Sequence, residues 1–383
     1  MTINNLTNYV AYQEPGSGPR IGHLDFKTSK ITPLSFQSGT PLKSLYQVIG
    51  IGEKGVNASG EPSLSLSSVK HLPPISGRDV LVVDKNYVDH AKEFNSSGYD
   101  ASDKIDQPTH PVIFTKRATS IIGHEDPILL HPKFTSTVDY DGEIGIIIGK
   151  PGFQVSEENA LEHVWGYTII NDMTARERQR DHKPFFLGKS PDTFCPIGPI
   201  AVPKESLPEN LKIQTFVNQE LRQVATLNEL IFNIPTLITT ISAGQILQAG
   251  DVIATGTPSG VGFGFRPMKF LRAGDEISVS VTGLRTLRNR IAAADAVNTT
   301  STCAESYIPL ANQKAPENSG LTKVSGKNLF YQRLGLEAGP PVFFIHGLGG
   351  SSSYFYPLIA KLQSTHSLHL LDLEGHGLSV VST

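Results

Sequence analysis

The stretch Thr137-Val-Asp-Tyr-Asp-Gly-Glu-Ile-Gly-Ile-Ile-Ile-Gly149 constrains this chain more than any other. Ile144 to Ile148 is a β-branched run closed by Gly149, the pattern of a buried strand. Side chains two apart on a strand share a face, so Asp141 and Glu143 point the same way from a segment that feeds the core. Paired carboxylates repel unless a proton or a cation intervenes, and apolar surroundings sharpen the conflict. A divalent cation that takes all-oxygen ligands, such as Mg²⁺, Ca²⁺ or Mn²⁺, resolves it. The competing reading is a solvated turn with two surface acids.

A third carboxylate follows in Trp165-Gly-Tyr-Thr-Ile-Ile-Asn-Asp-Met-Thr-Ala-Arg-Glu-Arg-Gln179. Tyr167 to Ile170 reads as another strand, ending at Asn171-Asp172. Thr174 with Glu177 three residues on is a capping-box signal for a helix start. Asp172 is thereby placed on a strand-to-helix corner, where rigid elements hold functional groups, although a plain capping role gives the same pattern. Arg176, Gln179 and Arg180 fall on one helix face.

The length of 383 residues allows two or three domains. Charged residues make up 18%, below the roughly 25% of ordinary soluble domains, which permits a sizeable core. A net charge of −3 without a basic block argues against nucleic acid as a partner. No apolar run approaches the roughly 18 residues of a membrane span. The first residues carry neither a signal-peptide nor a transit-peptide pattern. Cys195 and Cys303 form no disulfide framework, so a reducing compartment is expected, the cytoplasm first and the mitochondrion second.

Along the chain, residues 1–72 read as a small β-rich N-terminal unit and 73–291 as the main domain. Residues 292–326 have the composition of a linker, and 327–383 alternate strand, glycine loop, helix and strand, a rhythm that predicts parallel pairing. Within the main domain, Tyr87, His90 and Glu93 share a helical face, and a His–Glu pair three apart orients an imidazole, although most such pairs are ordinary surface contacts. Residues 95–112 form a loop long enough to be a lid. Lys116 lies either in a pocket or on the surface, and Lys189 stands out in a Pro/Gly-rich stretch. Residues 211–223 predict a hairpin across Asn218-Gln219, and Pro235 to Ser242 a short helix. Thr255-Gly-Thr-Pro-Ser-Gly-Val-Gly262 follows a strand as a glycine-rich loop with Thr257 as a hydroxyl donor; it cradles an anion or simply makes a tight turn.

Five motifs together resemble the fumarylacetoacetate hydrolase family: Asn86-Tyr-x-x-His90-x-x-Glu93, Asp139-Tyr-Asp-Gly-Glu143, Asn171-Asp-Met-Thr-Ala-Arg176-x-x-Gln179, Gly188-Lys-Ser-x-Asp-Thr-Phe and Thr255-Gly-Thr-Pro-x-Gly-Val-Gly262. The resemblance spans roughly residues 75 to 291. It implies an α+β, β-rich fold, a mixed β-sandwich roll, usually assembled as a homodimer and dependent on Mg²⁺ or Mn²⁺. It implies Asp141, Glu143 and Asp172 as metal ligands, and His90 and Glu93 as the pair that activates water under a lid. Lys189 becomes catalytic by the same comparison, while Tyr87, Arg176, Gln179 and Thr257 hold the substrate. Two positions depart from the family pattern: Asp141 stands where glutamate is usual, and Asp84 where glycine is usual. The implied substrate is a small 2-oxo or 2,4-dioxo acid, cleaved at a C–C bond in an acylpyruvate-type hydrolysis. Without an attacking water, the same electron sink supports oxaloacetate decarboxylation or keto–enol isomerisation.

The last segment resembles the beginning of an α/β-hydrolase, through His346-Gly-Leu-Gly-Gly350 and Asp372-Leu-Glu-Gly-His-Gly-Leu-Ser379. It contains no Gly-x-Ser-x-Gly elbow, so esterase activity is not expected from it.

Overall fold

The strand Gly142–Ile148 is buried along its whole length and lies inside a 13-stranded mixed sheet. It pairs antiparallel with Val164–Asn171 on one side and Val252–Ala254 on the other. Alternation sorts its side chains. Ile144, Ile146 and Ile148 share a core with Ile213, Val217, Val279, Val281 and Leu287. Ile147 enters a second core with Val80, Val82, Phe114, Ile197 and Ala254. The first core is closed by a four-stranded antiparallel sheet, in the order Glu220–Thr226, Lys212–Val217, Glu276–Val281, Arg285–Arg290. The result is the expected β-rich mixed sandwich with few helices.

This computed structural model describes residues 6–99, 107–183, 185–296, 319–325, 327–347, 351–374 and 379. Part of the expected lid (100–106) and most of the expected linker (297–318 and 326) lie outside them. Two compact units are present, Met1–Cys303 and Ala304–Thr383.

Within the first unit, the N-terminal strands are β-rich as expected but do not stand apart. Tyr9–Gln13 pairs with Pro19–Asp25 and also reaches Cys195–Pro203 through Tyr9 and Ala201, which extends the large sheet. The hairpin across Asn218-Gln219 is present, with φ of 49° and 69°, the left-handed pair that a two-residue turn requires. The helix Ile234–Ser242 starts on Asn233, whose side chain accepts from Thr236 N–H at 3.0 Å.

The capping box expected at Thr174 and Glu177 does not form. Thr174 belongs to a short strand paired with Val138–Asp139, and the helix Arg176–Asp181 starts after Ala175. The hydroxyl of Thr174 donates to buried Asp141 Oδ2 at 2.9 Å. Glu177 instead accepts from Ser136 N–H at 2.7 Å and Thr135 Oγ1 at 2.9 Å. A buried carboxylate is a stronger claim on a hydroxyl than a half-exposed helix end.

In the second unit, Pro341–Ile345 and Ser367–Leu371 pair in parallel on either side of the helix Tyr356–Leu362, as the strand–helix–strand rhythm predicts. Ser379 accepts from Phe330 N–H and donates to Asp372 O, so its hydroxyl holds strands together. No described helix is long and apolar enough to cross a membrane.

Gly142 is required by the close approach of the two sheets. A Cβ there would meet Val279 Cγ1 at 3.2 Å and Gln223 Oε1 at 3.3 Å, and would press on Thr215. Gly142→Ala is therefore expected to cost about 1–3 kcal/mol in denaturant unfolding. Gly50, inside a helix with nothing within 4 Å of its Cβ position, should tolerate alanine and gain up to about 1 kcal/mol. Equal responses at the two positions would contradict this packing account.

Candidate active site

Antiparallel register sets Gly142 opposite Asn171 and Glu143 opposite Ile170, which brings Asp141 beside Asp172. Asp172 N–H donates to Asp141 O at 2.8 Å, and Asp141 N–H to Asn171 Oδ1 at 3.2 Å. The three predicted acids are all buried. Lys189, at the end of the short helix Phe186–Lys189, places its ammonium 2.8 Å from Asp141 Oδ2 and 2.5 Å from Asp172 Oδ2. The Arg176 guanidinium spans Asp139 Oδ2 at 2.8 Å, Asp141 Oδ1, and Gln179 Oε1 at 3.2 Å, and lies 4.4 Å over the Phe263 ring.

Two further members complete this cluster: Lys116, which the sequence leaves open between pocket and surface, and Asp139, to which it assigns no role. Lys116 is fully buried, 2.6 Å from Asp172 Oδ1 in an ion pair without hydrogen-bond alignment. Its ammonium also donates to Met173 O at 3.0 Å and to Lys189 O. The available signal was alternation: Lys116 shares a strand face with buried Phe114. Asp139 lies two residues before Asp141 and accepts from Gly262 N–H at 2.7 Å and Phe263 N–H at 3.2 Å.

The buried acids Asp139, Asp141, Glu143 and Asp172 outnumber the buried cations Lys116, Arg176 and Lys189 by one. Glu143 carries the excess. Its Oε2 accepts Gly256 N–H at 2.8 Å and it forms no ion pair among the described residues. Burial, and then the charges of Asp172 and Asp141, push its carboxyl well above the ordinary range. For Asp141, burial acts upward too, but Arg176 and Lys189 override it and hold the carboxyl low. Burial would lower the Lys189 ammonium; Asp141 and Asp172 raise it instead.

Beside this cluster, His90 Nδ1 lies 3.2 Å from Glu93 Oε2, on the helix Val88–Ser96. Glu93 is anchored by Gly260 N–H at 3.1 Å, and the imidazole sits among Phe94 and Phe263 with centroids 6.2 and 6.0 Å away. Tyr87 is buried just before this helix, its hydroxyl pushed up by burial and then by Glu143. Gln179 is buried, and its Nε2 has no hydrogen-bond partner among the described residues. Thr257 differs from a free substrate donor: its hydroxyl donates to Gly142 O at 3.0 Å and accepts from Gln223 Nε2 at 2.7 Å. That hydroxyl ties the glycine loop to the central strand.

No three acids, histidines or cysteines among the described residues already converge as a metal cage, because Lys189 bridges Asp141 and Asp172. The donor set nevertheless fits a hard cation: three buried carboxylates, one negative charge in excess, and Asp172 Oδ1 without an aligned donor.

The excess charge has a pH signature. A carboxyl whose folded pKa is raised contributes stability below its ordinary value of 4.5, and that contribution is lost as pH climbs through the folded value. In metal-free protein, Glu143→Gln should match the wild type at pH 4.5 and below, and be the more stable at neutral pH. Denaturant melts across pH measure the difference, and a variant that is less stable at neutral pH would refute the charge count.

Residues 79–292 match the family model described as fumarylacetoacetate (FAA) hydrolase, C-terminal. The oxaloacetate tautomerase YisK of Bacillus subtilis is 50% identical over 231 residues, 59% of this chain and 74% of that protein. A fumarylacetoacetate hydrolase from Exiguobacterium antarcticum superposes with TM-score 0.63 at 39% identity, covering 75% of this chain and 99% of its own. The 2-hydroxyhepta-2,4-diene-1,7-dioate isomerase of Mycobacterium marinum gives TM-score 0.59 at 29% identity, covering 76% and 100%. With the sheet order, the buried acid–lysine cluster and these matches together, the chain belongs to the fumarylacetoacetate hydrolase family of enzymes.

Proposed function

We propose that this enzyme interconverts the keto and enol forms of a small 2-oxo diacid, oxaloacetate being the first candidate, with Mg²⁺ or Mn²⁺ as cofactor. The observation that carries the reading is an anchored His90–Glu93 pair beside a buried cluster one positive charge short of balance. Similarity to a tautomerase and to a dioate isomerase supports it.

Asp141, Glu143 and Asp172 would hold the cation. When bound, it supplies Lewis-acid polarisation of the 2-oxo group. The remaining chemistry belongs to the chain. Arg176 and the unpartnered Nε2 of Gln179 are donors for a substrate carboxylate. Lys189 offers a second positive charge to the developing enolate. Tyr87, buried just before the His90 helix, would pack against the substrate, and Thr257 positions the glycine loop rather than touching substrate. Glu93 fixes the orientation of His90, which takes a proton from the carbon next to the 2-oxo group and returns it to the enolate oxygen. One proton moves, and nothing else is consumed.

A second reading, acylpyruvate hydrolysis, uses the same pair to activate water; the similarity to a fumarylacetoacetate hydrolase at 39% identity favours it. Oxaloacetate decarboxylation would need the electron sink but no base. Product analysis by NMR with oxaloacetate and with an acylpyruvate separates the three.

In an assay of enol decay with added Mg²⁺, His90→Ala should lose about 10²–10⁴-fold in turnover. Glu143→Ala should abolish the metal-dependent rate. Lys189→Met should lose turnover yet keep or improve Mn²⁺ binding, since an ammonium that competes for the carboxylates is gone. Removal of residues 304–383 should leave the rate unchanged. Turnover that survives chelator and Glu143→Ala would sink the proposal.

A further inference from the structure

Away from this site, two adjoining hollows of about 520 and 380 Å³ share Ser29, Leu66, His71 and His124 as walls. His71 and His124 stack there with centroids 5.2 Å apart and planes 18° from parallel. In the neutral rings, their neighbours fix the tautomer. His71 Nε2 faces Leu66 O at 3.2 Å, so that nitrogen is the donor and Nδ1 is left as a lone pair. This Nδ1 is buried and has no partner among the described residues. His124 Nδ1 accepts from Arg288 N–H at 3.0 Å, so its Nε2 bears the proton.

The charges facing the hollows are Lys70, Arg285, Arg288, Glu125 and Asp126. Asp126 accepts Gly123 N–H at 2.8 Å, and Glu125 is exposed, 3.7 Å from His124 Nε2. Arg288 comes no nearer than 3.9 Å to Glu276. Arg285 pairs with no carboxylate among the described residues; its guanidinium lies 4.9 Å over the Phe26 ring, on a backbone held at φ 66°. The field is positive even with both imidazoles neutral. Burial first, and then His71, Arg288 and Arg285, hold the His124 imidazole down to about 4.

A cationic wall and one unused acceptor define an unusual ligand. A fully ionised oxyanion suits the arginines but repels the lone pair of His71. An oxyanion that keeps one O–H suits both. We propose that this hollow is a second binding site for a phosphate group that keeps one O–H, either free hydrogen phosphate or the monoanion of a small monoester, whose second pKa is about 6, with its oxygens toward Arg285 and its O–H donated to His71 Nδ1. The space exceeds a lone phosphate, so a short carbon chain fits beside Leu66.

The test is NMR of the histidine ring resonances in the full chain, titrated with inorganic phosphate, glycerol phosphate and sulfate. Sulfate has the shape and charge of phosphate but no acidic proton near neutral pH. Expected are shifts of His71 and His124 with phosphate or its ester, and binding of sulfate weaker by about tenfold or more. Near neutral pH glycerol phosphate keeps its O–H in only about a tenth of the molecules, so binding as tight as that of inorganic phosphate would identify the ester as the source, and binding weaker by about tenfold the free ion. His71→Phe and Arg285→Met should each weaken phosphate binding by about tenfold while turnover without phosphate stays unchanged. If His71→Phe fails to fold, the phosphate-to-sulfate contrast and Arg285→Met decide. Equal binding of sulfate and phosphate, absent ring shifts, or undiminished binding in the variants would overturn the proposal.

Discussion

The buried ammonium of Lys189, shared between Asp141 and Asp172, is the interaction on which the rest of this structure depends. Two carboxylates brought together by strand register cannot both stay ionised in the interior unless something positive lies between them. Lys189 does this on one side, Arg176 and Lys116 on the others, and the cluster is still one positive charge short. That residual demand is localised on Glu143, which forms no ion pair among the described residues. The pairing explains why a long polar side chain is tolerated at such depth: each lysine or arginine in the cluster meets at least one carboxylate.

The scaffold answers to the same demand. Gly142 lets the second sheet approach closely enough for Gln223 and Thr257 to brace the strand that carries Asp141 and Glu143. The glycine-rich loop presents Gly256 N–H to Glu143, Gly260 N–H to Glu93, and Gly262 N–H to Asp139. Three backbone donors from one loop thus orient three acids from different elements. Its glycines serve the protein's own carboxylates.

Much of this was legible in the chain. Period-two alternation put Asp141 and Glu143 on one face, and Asn218-Gln219 announced the hairpin. Carried two residues back, the same rule would have found Asp139; Lys116 shares a face with Phe114 on the end strand of the large sheet, and its place in the pocket is decided by the helix Phe186–Lys189 and by Asp172, which meet it from distant parts of the chain. The Thr174–Glu177 pair misled because a capping pattern is local, whereas the acceptor that claims Thr174 arrives from thirty-three residues away. The link between the N-terminal strands and the large sheet was invisible for the same reason: no local pattern reports that Tyr9 will meet Ala201. Thr257 was read as a donor to substrate, yet its partners lie on two other strands.

Crystals grown with Mn²⁺ and measured for anomalous scattering offer the most direct test. The charge account requires a single strong peak within bonding distance of carboxylate oxygens from Asp141, Glu143 and Asp172, with the Lys189 ammonium withdrawn from at least one of them. A map without a peak there, in which Lys189 still bridges Asp141 and Asp172 at saturating Mn²⁺, would contradict it.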